Sequence, residues 1–273
     1  MDGRSAWPIF LVYLLAFLGI VSFTITAAVI VRSLYPDLSD REVFEGLPGL
    51  IAGGLASSLA LTVTLLAVLR PFDPARLRLR PGRETGRHLA LAIMGTLALG
   101  QTLDSLTTLI GIGDRGSMAT IRRALAGASG PDLFVAVLVI GVLAATAEEV
   151  FFRGYMQSDL SVRWGARGGV AATASAFALL HLDWLHVALA LALGLYLGFV
   201  TERAGSALPA IACHVVNNTL FTVLTATVGA VTDVRPNVIL AAIGLPVFLG
   251  SVLWLHRTLP PAAPPPRAKA AAS

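Results

Sequence analysis

Three short runs in the second half of the chain carry residue types that perform proton transfer and hydrolysis. They are EEVFFR at 148–153, FALLH at 177–181 and HVVNN beginning at His214. The first sets Glu148 beside Glu149, with Arg153 one helical turn after the second carboxylate. The others supply His181 behind Phe177, and His214 followed by Asn218. Carboxylates and imidazoles take up and return protons. Imidazole and amide N–H groups donate to an oxygen on which negative charge develops. Residues four apart share a helix face. His214 and Asn218 therefore form one set, Phe177 and His181 a second, and Glu149 with Arg153 a third, acid first, which is the favourable order. Glu148 points about 100° away from Glu149. The two carboxylates are expected to do different jobs: Glu148 faces the histidines, and Glu149 pairs with Arg153 as scaffold.

The elements that carry these residues are apolar. Of 273 residues, 56% are hydrophobic and 13% charged, with mean hydropathy +0.78. A soluble domain carries about a quarter charged residues. Several runs approach the roughly 20 apolar residues that cross a bilayer, and no ten-residue alternation of a barrel is visible. The chain reads as all-α: a polytopic transmembrane helical bundle of about eight spans, near 9–31, 48–69, 88–112, 133–157, 169–183, 185–201, 207–230 and 237–256. The fifth and sixth are short and joined by LDWLH, which predicts a hairpin that need not reach the far surface. The first run is too long for a cleavable signal. YPDLSDREVFEGLPGL connects spans one and two, with a short interfacial helix allowed for, and residues 259–273 read as a disordered proline-rich tail. Cys213 stands alone, so no intrachain disulfide forms.

Arg and Lys placement sets orientation. With eight spans, the side holding both termini carries fourteen of the twenty cationic residues, six of them between Arg70 and Arg87; the other side carries six. Both termini are therefore expected in the cytoplasm. The +4 formal charge belongs to loops facing anionic membrane lipid, not to a nucleic-acid surface. The excess of Arg over Lys suggests a GC-rich bacterial genome. From the predicted span ends, Glu148, His181, His214 and Asn218 fall at one depth on the cytoplasmic half, roughly 11–18 Å in. Polar groups at such depth are costly and mark function or pairing.

In this order, on successive late spans, EExxxR, FxxxH and HxxxN resemble the CPBP family: CAAX proteases of the Ras-converting-enzyme type, with bacteriocin-processing and self-immunity relatives. The resemblance covers about residues 132–225. It implies intramembrane hydrolysis of a peptide bond in a membrane-associated or CAAX-like substrate, either a peptide or a membrane-tethered protein. Glu148 would activate water with help from His181, and His214 and Asn218 would stabilise the oxyanion. Glu149, Arg153 and Phe177 would support them. It also implies a division into 1–131 (three spans and their loops), 132–230 (catalytic core), 231–258 (last span) and 259–273 (tail), in a bacterial inner membrane, with the site on the cytoplasmic half. Family members are often described as metalloproteases, yet HExxH is absent and Asn is a poor zinc ligand. The reading is metal-independent; if zinc is bound, Glu148, His181 and His214 are its ligands.

Each motif taken singly has a plainer explanation. Glu149 and Arg153 suit a buried ion network, His181 a packing role, and His214 with Asn218 interhelical glue. The alternative function is a non-proteolytic membrane protein, either a proton-coupled transporter, whose groups would line a path, or a self-immunity scaffold. GIGD at 111–114 matches one half of an aspartyl-protease pair but falls beyond span three and reads as a turn. AGSAL lacks the second glycine of a nucleophile elbow. Asp104 and Gln101 lie within span three without a role. His88, His186 and His256 lie near span ends and read as interfacial.

Overall fold

The computed structural model describes residues 5–70 and 72–261. In chain order the helices are α1 Trp7–Leu34, α2 Asp40–Phe44, α3 Leu47–Val68, α4 Gly86–Leu109, α5 Gly116–Leu125, α6 Gly130–Ala136, α7 Ala145–Glu149, α8 Ser158–Leu179, α9 Trp184–Ala204, α10 Leu208–Thr227 and α11 Val234–Thr258. Two π-helical segments, Val137–Ala144 and Val150–Gln157, flank α7. No strand occurs among the described residues, and the chain is an all-α polytopic bundle.

Seven helices are long and apolar enough to cross a membrane, where about eight spans were expected. The difference lies at spans four and five, which form one run from Gly130 to Leu179. Gly165 breaks that run at φ 75°, ψ 164°. That conformation is open to glycine, so the chain reverses at a single residue and no loop separates the two arms. The first arm is about 35 residues, roughly 50 Å; the second is about 14 residues, roughly 21 Å, short of a ~30 Å hydrocarbon core. The second arm ends at His181–Asp183, where Leu182 sits at φ 56°, and α9 returns beside it. The expected short hairpin is present on the α8 side only, because α9 is full length.

One end of the bundle gathers the start of α1, the 69–85 connection and the end of α11. Phe10 lies 5.9 Å from Trp164 between ring centroids. The Arg83 backbone N–H donates to the Ala204 carbonyl. Arg203 reaches His256 and the carbonyl of Leu259. Leu259 is buried and Arg83 reaches the Pro260 carbonyl. The start of the expected disordered tail is therefore packed; residues 262–273 lie outside the described residues. The opposite end carries α2, capped by Ser39 and Glu42, and α5, which the sequence did not reveal as a helix.

Two apolar cores hold the bundle. One joins α1, α3, the second π segment and α8 around Phe151, Phe152, Met156 and Phe177. The other joins α4, α9, α10 and α11 around Tyr196, Leu197, Ala210 and Cys213. Their remaining large side chains, among them Leu14, Ile25, Leu59, Leu249 and Leu253, face outward, as lipid-facing positions must. His214 stands on α10 next to Cys213, on the seam between the cores.

Candidate active site

The site is built outward from Arg153, fully buried on the second π segment. A guanidinium stripped of water needs both charge and hydrogen-bond partners. Its Nη1 donates to Glu149 Oε1 at 2.9 Å, and its Nη2 donates to the Gly194 carbonyl on α9 at 3.2 Å. The cation also lies 4.7 Å from the centroid of the Phe177 ring. Glycine at 194 permits this approach: a Cβ there would stand 3.2 Å from the Ala174 Cβ and 3.3 Å from Arg153 Nη2.

Glu149, also fully buried, passes the contact on. The same Oε1 that receives Arg153 accepts from His214 Nδ1 at 2.9 Å, while Oε2 has no partner. A carboxylate oxygen only accepts, so Nδ1 carries the proton. His214 Nε2 is left on the other side of the ring, 3.9 Å from Glu148 Oε2. Glu148 retains about a fifth of its side-chain exposure, whereas Glu149 has none. The expected division of labour is corrected here. Glu149 pairs with Arg153 as expected, but it also orients His214. The two carboxylates flank one imidazole on opposite nitrogens, and the α-helical turn between the π segments makes that possible. Such π segments often mark functional sites.

Phe177 is the hub for the second histidine. Its ring meets His181 at 5.2 Å and His214 at 6.0 Å, edge to face in both cases. His181 Nδ1 faces the carbonyls of Phe177 and Ala178 at 3.2 and 3.3 Å. Carbonyls only accept, so Nδ1 is the protonated nitrogen and Nε2 presents a lone pair. Asn218 donates to the Ile140 carbonyl of the first π segment at 3.4 Å and accepts from Asn217 at 3.3 Å. Asn217 in turn packs against Gly100 on α4.

The shared depth is only partly met. His214 lies about six residues, roughly 9 Å, into α10 from the end that carries the Arg-rich connection. His181 stands at the hairpin tip, which packs against α5 at the opposite end. Asp183 caps α9 by accepting from the His186 N–H and lies against Gly116. His186 was expected at an interface. Instead its ring lies 4.0 Å from that of His181, and Nδ1 meets Ser117 Oγ of α5 at 3.1 Å. Asp104 forms an ion pair with Arg122 of α5. The sequence showed neither contact because both depend on α5. Cys213 is a buried core residue, as expected.

Zinc ligands lie about 2.0–2.2 Å from the metal. Among the described residues no group of three or more His, Cys, Asp and Glu is arranged to hold a metal ion, the set Glu148, His181 and His214 included. As placed, these residues do not gather around one ion.

Residues 130–220 match a family model described as type II CAAX prenyl endopeptidase, Rce1-like. The matched stretch takes in all three motifs and supports assignment to the CPBP/CAAX protease family, and with it a CAAX-type intramembrane endopeptidase in general. No curated protein and no solved structure matches the chain.

Proposed function

With that family as premise, we propose that the protein cleaves a peptide bond in a membrane-tethered CAAX-like substrate, using water activated by Glu148. The observation that carries this reading is the convergence of Glu148 and Glu149 on His214. A transporter relay would string such groups along a path across the bilayer; two carboxylates on one imidazole suit a reaction centre.

In this mechanism Glu148 takes a proton from water as the water oxygen bonds to the carbonyl carbon. The His181 Nε2 lone pair accepts the water's other hydrogen and fixes its direction. Negative charge gathers on the former carbonyl oxygen, where His214 and the Asn218 amide donate. To donate from Nε2 while Nδ1 donates to Glu149, the imidazole must carry both protons, and Glu149 supplies the counter-charge. The C–N bond then breaks and the proton held by Glu148 passes to the leaving nitrogen, giving a carboxylic acid and an amine. The 3.9 Å gap between Glu148 and His214 exceeds a direct hydrogen bond, and suits one oxygen bridging the two.

The multi-pass chain is proposed to sit in a bacterial cytoplasmic membrane, the Arg-rich end inside and in contact with anionic lipid. Cleavage at the cysteine of a CAAX sequence releases the last three residues. The test uses full-length protein in nanodiscs with an internally quenched, farnesylated CAAX peptide. Wild type should cleave it, with or without 1,10-phenanthroline. Glu148→Gln should lose about 10³-fold in turnover with an unchanged melting temperature. Full activity in Glu148→Gln would sink the assignment of the base.

A further inference from the structure

The family match begins at residue 130 and leaves α4 and α5 without any assigned role. Yet α4 and α5 place an ion pair, Asp104 with Arg122, beside the α10 face that carries His214 and Asn218. The Arg122 guanidinium carbon lies 5.9 Å from the Phe221 ring centroid. Phe221 follows His214 and Asn218 at the i+7 position of the same helical stripe. Seven residues of helix advance about 10 Å. The stretch between is polar: Asn217 packs on Gly100, and Gln101 donates to Ser105 one turn further along α4.

Arg122 has capacity left. Asp104 meets only Nη2, and the buried Nε has no partner. A guanidinium carries five N–H donors in a planar fork, so one edge can hold Asp104 while the other takes a second carboxylate in bidentate fashion. The other cation beside the site, Arg153, is fully buried and engaged by Glu149 and Gly194. Arg123, next to Arg122, is largely exposed and faces Glu45 and Thr120.

Three extended residues span about 10 Å, which is also the distance along α10 from His214 to Phe221. Building on the proteolytic reading above, we propose that Arg122, steadied by Asp104, binds the free C-terminal carboxylate of the peptide whose bond is cut beside Glu148. The peptide then runs along α10 with its end under α5. Arg122 is a specificity residue in this arrangement and Asp104 a positioning residue. The arrangement gives a reason for Asp104, which the sequence left without a role.

The test compares two farnesylated CAAX peptides, identical except that one ends in a free carboxylate and the other in an amide. Charge-assisted hydrogen bonds make the expected preference about tenfold or more in kcat/KM for the acid, carried mainly by KM. Arg122→Gln should cleave the acid and the amide alike, at the wild-type amide rate, which also certifies its fold. Arg122→Lys keeps the charge without the fork and should fall between. Asp104→Asn should weaken the preference without abolishing it. A wild type indifferent to the carboxylate, or an Arg122 variant that keeps the full preference, overturns the proposal. Binding of the two peptides, measured in parallel, separates this inference from the one beneath it. A wild type that cleaves neither peptide but binds the acid in preference, with the preference lost in Arg122→Gln, refutes proteolysis and upholds the carboxylate site. Equal binding of acid and amide refutes the carboxylate site whatever the cleavage.

Discussion

Two carboxylates inside this bundle, one fully buried and one largely so, receive donors on a single oxygen, and their networks lead to different places. Glu202, at the Arg-rich end, accepts on Oε1 from Arg78 at 2.8 Å, Gln157 at 2.9 Å and Ser161 at 2.9 Å. All three donors are anchored in the scaffold. Arg78 itself sits at φ 51° with its carbonyl taken by the N–H of Ala207 and the hydroxyl of Ser206. That network ties the 69–85 connection to α8 and α9, with Gln157 Oε1 left without a partner. Glu149 also uses Oε1, for Arg153 and His214, and its network reaches a second carboxylate. His214 has a second nitrogen facing Glu148, and Glu149 Oε2 has no partner. A buried ion pair is weak evidence of stability in itself. What differs is where each network leads: His214 carries the Glu149 network on to the partly exposed Glu148, whereas Glu202 gathers Arg78, Gln157 and Ser161 of the scaffold.

The sharpest test of that contrast is Glu149→Gln. The amide keeps the shape, loses the counter-charge and presents a wrong partner to His214 or Arg153. Turnover of the farnesylated peptide should fall by roughly 10²-fold or more, with a lower melting temperature. Next is Glu202→Gln, which strands the Arg78 guanidinium. It should destabilise the fold by about 3 kcal/mol, read as a lower thermal midpoint, while kcat per folded molecule stays near wild type. A large fall in kcat here would break the distinction. Gly194→Ala presses a methyl against Ala174 and Arg153; an overpacking cost of about 1–3 kcal/mol should come with a measurable loss of turnover, because the strain falls on the Arg153–Glu149 arm. The smallest effect belongs to Ser39→Ala in the exposed α2 cap. Ser39 holds the Glu42 carboxyl below its ordinary range through its hydroxyl and backbone N–H. A depressed value means this cap helps α2 above the ordinary carboxylate range and is lost as pH falls through the lowered one. Amide exchange in α2 should quicken at neutral pH in the variant and converge with wild type in acid, with activity unchanged.

The legibility of the site follows the range of its contacts. The turn-spaced contacts, Arg153 on Glu149 and His181 beside Phe177, follow from the helical period and were read correctly. Glu148 and Glu149 were separated by the same period, and that inference went only halfway. A 100° offset puts two side chains on different faces, but a third helix packed in the angle between them can touch both, and α10 does so through His214. The π segments on either side of α7 change the local pitch and left no mark in the apolar pattern. Helix α5 was invisible because GSMATIRRAL is short and mixed; its partners, Asp104, Asp183 and His186, lie far away in sequence. The merger of spans four and five turned on one glycine, and composition did not distinguish Gly165 from the other 25 glycines of the chain.

The sequence by itself determined that the chain is a helical membrane bundle, since apolar length has no other use, and it determined which side chains are expensive enough at depth to matter. The tertiary structure alone decided their wiring. It set His214 between two carboxylates, His181 against His186, and Arg122 between Asp104 and Phe221. The reason is physical: helical period fixes directions within one element, whereas a hydrogen bond between elements depends on their packing distance and rotation, which are set by the two apolar cores that meet at α10.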